Sequence, residues 1–179
     1  RLNSTHPLFR ISGKTLGIVG IGRIGQAMAR RARGFDMKIL YTDPRALSVE
    51  EEERLGVTLV GIDELLGQSD FISLHPSLND ETHHLISTRQ FALMKRTAFL
   101  INTSRGPVVD EPALARALSE GRVAGAGIDG AQQTHLNSLL GARGVGGGGG
   151  HLPRAAGPAV IDDEHGLGHG AGSCGRWCQ

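Results

Sequence analysis

The sequence predicts an α/β fold: a doubly wound parallel sheet over residues 13–129, followed by a glycine-rich tail expected to be mostly disordered. Three observations carry this expectation. Short apolar runs alternate with segments of helical period, the pattern of strand–helix units that build parallel sheets with right-handed crossovers. A Gly-x-Gly-x-x-Gly stands where the first apolar run gives way to the first helical segment. Glycine is also unevenly spread: residues 1–129 hold 13 of the 27, and residues 130–179 hold 14.

The elements follow in order. Thr15 to Gly20 is a short apolar run ending in glycine, suited to a buried parallel strand. From Arg23 to Gly34 the spacing is helical, with Ile24, Ala27, Met28 and Ala32 on one face, Arg30 and Arg33 elsewhere, and Gly34 placed to end the helix. Met37 to Thr42 is the second strand, stopped by Asp43-Pro44. Ser48 and Glu51 form a capping-box pair that opens a short acidic helix to Leu55. Val57 to Val60 is a brief strand, and Ile62 to Leu66 one or two helical turns.

Asp70 to His75 is a strand running into a polar loop, and Ser87 with Gln90 caps a helix through Met94. Ala98 to Thr103 is a strongly apolar strand. Asp110, Glu111 and Pro112 start a helix that Gly121 ends, and Val123 to Ile128 is a small-residue strand. After Asp129 the pattern stops. The tail holds a Gly146–Gly150 homopolymer, no Phe or Tyr and few large aliphatics, so burial cannot offset its ordering entropy. Three regions result: a 1–12 linker, a 13–129 domain and a 130–179 low-complexity tail.

Composition excludes several classes. A chain of 179 residues is long enough for one domain with a substantial core. With 19 Lys+Arg against 18 Asp+Glu, it lacks the charge of a nucleic-acid binder or a basic membrane-surface protein. No apolar run approaches the ~20 residues of a membrane span. The opening Arg1-Leu2-Asn3-Ser4 has neither an initiator Met nor the apolar stretch of a signal peptide, the expectation for a fragment or processed form. Cys174 and Cys178 both fall in the tail, so the body has no disulfide framework, in keeping with a reducing cytoplasm.

Gly20-Ile21-Gly22-Arg23-Ile24-Gly25 sits between a strand and a helix, the context that a Rossmann-type dinucleotide site requires. Gly20 permits the tight turn, Gly22 lets the backbone approach a pyrophosphate, and Gly25 allows close helix–strand packing. The helix N-terminus offers N–H groups and the positive end of its dipole to the phosphates. A plain tight strand–helix turn is the alternative. Asp43 ends the second strand, 18 residues after Gly25, where an acidic residue accepts hydrogen bonds from an adenosine ribose and repels a 2′-phosphate. This favours NAD over NADP, although Arg45 close by could accommodate a phosphate. Alternatively, Asp43 simply starts the Asp-Pro turn.

Residues 13–129 resemble the nucleotide-binding domain of the D-isomer-specific 2-hydroxyacid dehydrogenases. The motifs are Gly17 to Gly25, Asp70 to His75, Asn102-Thr103-Ser104-Arg105-Gly106 with Val109-Asp110-Glu111, and Ala124 to Asp129. Within the family the sequence is most similar to glyoxylate, hydroxypyruvate and 2-ketogluconate reductases. The resemblance implies that Arg23 and Ile24 contact the pyrophosphate, Asp43 the adenosine ribose, and His75 and Pro76 the cofactor cleft. Thr103 and Ser104 would lie along the nicotinamide half, with Asp129 at the carboxamide. Where the family usually reads His-x-Pro-Leu, this chain reads His75-Pro76-Ser77-Leu78. Arg105 matches the family arginine that binds the substrate carboxylate and polarises its keto oxygen. Its position just past a strand's carboxyl end and its bidentate guanidinium suit that task. A surface arginine paired to Asp110 or Glu111 is the alternative. His83 and His84 match no family catalytic position and read as solvated loop histidines.

The family mechanism also needs a Glu and a His, the His donating a proton to the keto oxygen. After Asp129 the chain reads Gly130-Ala131-Gln132-Gln133-Thr134. The tail's Glu164 and His135, His151, His165 and His169 stand outside the family's Glu-x-Pro and Pro-His contexts, so neither role is assigned. The family's substrate domain has no counterpart in residues 1–12. The tail composition suits out-of-frame translation of GC-rich DNA, a genuine flexible tail being the rival. The His165/His169 and Cys174/Cys178 spacings would suit zinc, but a tail without supporting strands makes chance the better account, and no metal is expected.

The expected function is therefore NAD binding within an oxidoreductase that moves a hydride between NAD(H) and a small 2-oxo or 2-hydroxy acid. This chain is expected to be catalytically impaired. The intact parent is expected to be a cytoplasmic homodimer with no nucleic-acid or membrane partner. The alternative is a non-enzymatic NAD(H)-binding or dimerisation module related to NAD-sensing corepressors.

Overall fold

A computed structural model describes residues 10–129 and the backbone of a strand at 159–161. The elements are β1 (Thr15–Val19), α1 (Arg23–Arg33), β2 (Lys38–Thr42), α2 (Val49–Leu55), β3 (Val57–Leu59), α3 (Ile62–Gln68) and β4 (Phe71–Leu74). They continue with α4 (Thr88–Leu93), β5 (Phe99–Asn102), a 3-10 turn (Gly106–Val108), α5 (Glu111–Ser119), β6 (Gly125–Ile128) and β7 (Ala159–Ile161). The strands pair in the order β3-β2-β1-β4-β5-β6-β7, all parallel. Through β6 this is the doubly wound order 3-2-1-4-5-6, with its switch point between β1 and β4.

Both faces of the sheet are covered, and strand alternation decides which side chain goes where. Leu16, Ile18, Ile39 and Tyr41 point to one face and pack with Ala29 and Ala32 of α1 and Leu55 of α2. Val19, Leu40, Ile72, Leu74 and Leu100 belong to the opposite cluster, with Leu65, Phe91, Leu114 and Leu118 of α3, α4 and α5. Burial on both faces is why these strands read as continuous apolar runs.

The buried face of α1 differs from the sequence expectation. Gly25, Ala29 and Ala32 are its buried residues, whereas Ile24 is 68% exposed and Met28 also faces outward. A Cβ on Gly25 would overlap the Gly20 carbonyl oxygen, so the helix lies too close to the first loop for large side chains on that face. Gly34 does cap α1, but with right-handed φ and ψ of −65° and −11°; the left-handed residue is Asp36, at φ 54°. The Ser48–Glu51 capping box forms as expected, and Asp110 caps α5 by accepting from the Ala113 N–H.

The strand β7 lies in the segment read as a tail without regular structure. Ala159, Val160 and Ile161 pair with Gly125, Ala126 and Gly127 of β6. The remaining tail expectations, including Glu164, the histidines and both cysteines, lie outside the described residues.

At the amino edge of the sheet, Asp70 joins three strands. Its Oδ2 accepts from the Thr15 N–H at 2.9 Å and its Oδ1 from the Lys95 ammonium at 3.1 Å. Its backbone N–H donates to Thr15 O, and its backbone O accepts from Phe99 N–H. Burial alone would raise its pKa, but the Thr15 N–H and the Lys95 charge together hold it below the usual value.

Candidate functional site

The residues singled out by the sequence collect at the opposite, carboxyl edge. Asp43 follows β2, Gly20 follows β1, His75 follows β4, Thr103 to Arg105 follow β5, and Asp129 follows β6. Neighbouring strands therefore present them in one row, about 19 Å long at the ~4.8 Å strand spacing. That edge is where open α/β sheets bind ligands.

Gly20 has φ +92°, a conformation that side chains disfavour, and a Cβ there would lie 2.8 Å from the His75 backbone. The His75 N–H donates to Val19 O at 2.7 Å, so the chains leaving β1 and β4 close on each other at the switch point. Gly22 is extended and caps α1, and a Cβ on it would meet nothing within 4 Å. The N–H groups of Arg23, Ile24 and Gly25 have no intrahelical partners, and the first turn of α1 carries no acidic residue. Open space over free amides at a positive helix end suits a pyrophosphate.

Asp43 is engaged on both oxygens. Oδ2 accepts from the Ile21 N–H and Oδ1 from the Arg45 N–H, each at 2.9 Å. It thus opens the turn after β2 and also reaches across to the glycine loop, a contact that the spacing alone does not predict. Lone pairs on the carboxylate remain for a ribose. A cleft of about 540 Å³ is lined by Gly20 and Gly22, Asp43 and Arg45, and His75 and Pro76, with Asn79, Glu81 and Thr82 also on its wall.

His75 is half-buried. Its Nε2 lies 2.9 Å from Ser73 Oγ, and its Nδ1 is buried without a partner. An imidazolium would bury an unpaired N–H there, and desolvation correspondingly lowers the His75 pKa. The neutral ring with Nε2–H on Ser73 and a bare Nδ1 satisfies the site best.

At β5 the organiser is Asn102, fully buried. Its Nδ2 donates to Arg105 O at 2.9 Å, and its Oδ1 accepts from Ser104 N–H at 3.1 Å and Ser104 Oγ at 2.8 Å. Its backbone O accepts from Asp129 N–H at 2.8 Å. One residue therefore fixes the loop that carries Thr103, Ser104 and Arg105 and ties it to the end of β6. In the sequence Asn102 stands only within a motif, yet an Asn at a strand end followed by small polar residues is a signal for such a turn. Arg105 is exposed and donates to Ser104 O through Nη1 at 2.7 Å. Asp110, one of its alternative partners, is the α5 cap. The exposed rings of His83 and His84 stack on each other at 4.0 Å.

A family model described as "D-isomer specific 2-hydroxyacid dehydrogenase, NAD binding domain" matches residues 2–143. A glyoxylate reductase of Thermococcus litoralis is 56% identical over 128 residues, covering 69% of this chain and 38% of that protein. The structure of a glyoxylate reductase from Paecilomyes thermophila superposes with a TM-score of 0.68 at 44% identity, over 74% of this chain and 40% of that one. The NAD-complexed form of a D-isomer specific 2-hydroxyacid dehydrogenase from Lactobacillus delbrueckii ssp. bulgaricus gives 0.67 at 34% identity, over 74% and 40%. The chain thus spans less than half the length of the relatives it matches.

Proposed function

The chain belongs to the D-isomer specific 2-hydroxyacid dehydrogenases through their NAD-binding domain, and from this we propose that it is the cofactor-holding part of a dehydrogenase acting on a small 2-oxo acid such as glyoxylate or hydroxypyruvate. The observation that carries the reading is the row of residues along the carboxyl edge. Its order from β2 to β6 follows the parts of an extended dinucleotide.

In this reading Asp43 accepts from the adenosine ribose hydroxyls and repels a 2′-phosphate, which favours NAD over NADP. Gly20, Gly22, Arg23, Ile24 and Gly25 hold the pyrophosphate, His75 and Pro76 wall the cleft, and Thr103, Ser104 and Asp129 flank the nicotinamide. Bound NADH supplies the hydride. Arg105 grips the substrate carboxylate and polarises the keto oxygen, fixing the carbon for attack. Asn102 positions Arg105 through its backbone. Residues 10–129 offer no proton donor for this step: His75 is turned onto Ser73, and His83 and His84 lie on an exposed loop. The parent works as a cytoplasmic homodimer.

Calorimetric titration of the 179-residue chain with NADH tests the reading. Binding is expected, with no glyoxylate- or hydroxypyruvate-dependent NADH oxidation. Turnover abolished by Arg105→Ala would overturn the claim that this chain lacks its proton donor. Residues 13–129 are taken as the binding unit. The family match runs past Asp129 to residue 143, so its end and the break in periodicity do not coincide. Out-of-frame translation remains our proposal for the tail composition; if neither other frame of the coding DNA encodes the Glu and Pro-His motifs, it fails.

A further inference from the structure

We infer that Asp43 is a positioning residue for the phosphate loop, acting on the loop's main chain as well as on any ribose. The inference deepens the cofactor reading above and rests on it. One carboxylate bridges two backbone amides from different segments. Oδ2 holds the Ile21 N–H, between Gly20 and Gly22, and Oδ1 holds the Arg45 N–H beyond β2.

The loop needs such a clamp. Gly20 and Gly22 are the two most permissive residues in it, and α1 begins directly after them. The glycine loop carries few side chains of its own to fix it. Its other anchors are main-chain bonds from Gly20 N–H to Thr42 O, at 2.9 Å, and from Gln26 N–H to Gly22 O. Among the described residues, Asp43 supplies the side-chain hydrogen bond that ties this loop down. A charged acceptor makes the stronger kind of hydrogen bond. With the clamp in place, the free amides at the start of α1 face the space over Gly22 in advance, so less ordering is left for the ligand to supply.

Asp43 therefore contributes to affinity for the pyrophosphate independently of the adenosine ribose. One consequence concerns cofactor preference. Replacing Asp43 by a small neutral residue removes the repulsion of a 2′-phosphate but also releases the loop. NADPH binding by such a variant gains less than the removed repulsion alone would give.

The test uses the full chain and two ligands: NADH, and its analogue lacking both adenosine ribose 2′ and 3′ hydroxyls. Asp43→Ala is expected to weaken both, by about tenfold for the analogue. Exchange of the Ile21 amide, followed by NMR without ligand, is expected to quicken by a similar factor. Asp43→Asn keeps the side-chain shape with one acceptor for two amides, and falls between wild type and Ala in both measurements. It also serves if Asp43→Ala does not fold. Analogue affinity and Ile21 exchange unchanged in the variants, with NADH alone weakened, would overturn the inference and leave a ribose role only. If wild type binds no NADH, the cofactor reading fails, while Ile21 exchange still decides whether the clamp exists.

Discussion

The two edges of the sheet are built from the same strands but on opposite terms. At the amino edge polar groups are matched internally: Asp70 serves Thr15 and Lys95, Lys38 donates to Gln68, and Gly13 N–H finds Asp36 O. At the carboxyl edge groups are held in place yet left available. Gly22 opens on empty space, the first amides of α1 lack intrahelical partners, and Thr103, Arg105 and Asp129 are exposed. A parallel sheet makes this division natural, because all its strands end on one side. Stability and recognition are thereby separated by the length of a strand.

Substitutions can break that separation or sharpen it. The largest effect is expected at Gly25, where a Cβ would overlap the Gly20 carbonyl. Gly25→Ala should cost about 3 kcal/mol by forcing α1 off the sheet, and should abolish NADH binding. Chemical denaturation and calorimetry on one sample would show whether the two losses come together. Next is Asp70→Ala, expected to cost about 2 kcal/mol by leaving the Thr15 N–H without its acceptor. NADH affinity of the folded protein should not change; a tenfold loss would mean that the edges are coupled. Because the folded Asp70 pKa lies below its ordinary 3.8, its contribution is complete above that pH and is lost as pH falls through the lowered value. The variant's acid-unfolding curve should be correspondingly flatter.

Gly22→Ala is the inverse case. Its φ of −65° suits any residue and its Cβ meets nothing, so stability should stay within about 0.5 kcal/mol. On the proposed reading NADH affinity should fall about tenfold, since the methyl group would enter the space assigned to the pyrophosphate. The smallest effect is at His75. Its folded pKa is lowered by burial, so the unfolded chain binds the extra proton first. Stability is therefore complete above 6.5 and declines as pH falls below it. His75→Gln should remove that slope in denaturation midpoints measured between pH 5 and 7; an unchanged slope would place the titrating group elsewhere.

The legible parts of the fold were those written in period and punctuation. Strands β1, β2, β4 and β5 are apolar because both faces are covered, and Gly20 stops β1 while Asp43-Pro44 stops β2. The buried side of α1 departs from the periodic expectation because its contact face is made of Gly25, Ala29 and Ala32, while the larger Ile24 and Met28 point outward. Proximity to the sheet selects small residues there, and a search for the largest apolar stripe finds the wrong side. Strand β7 was hidden because three residues in a glycine- and histidine-rich stretch carry no period. At the site, residue types marked the row along the carboxyl edge, but not how it is held. The reach of Asp43 to Ile21 and the threefold grip of Asn102 depend on which loops the sheet order brings together.

The lateral margins of the sheet have a consequence of their own. Among the described residues the outermost strands, β3 and β7, have three residues each, against four or five in the strands between them. A margin that short exposes only a few unpaired backbone groups, too few to template a long added strand. Variants that lengthen β3 with apolar residues are therefore expected to lose solubility before they lose structure, which sedimentation at rising concentration would show.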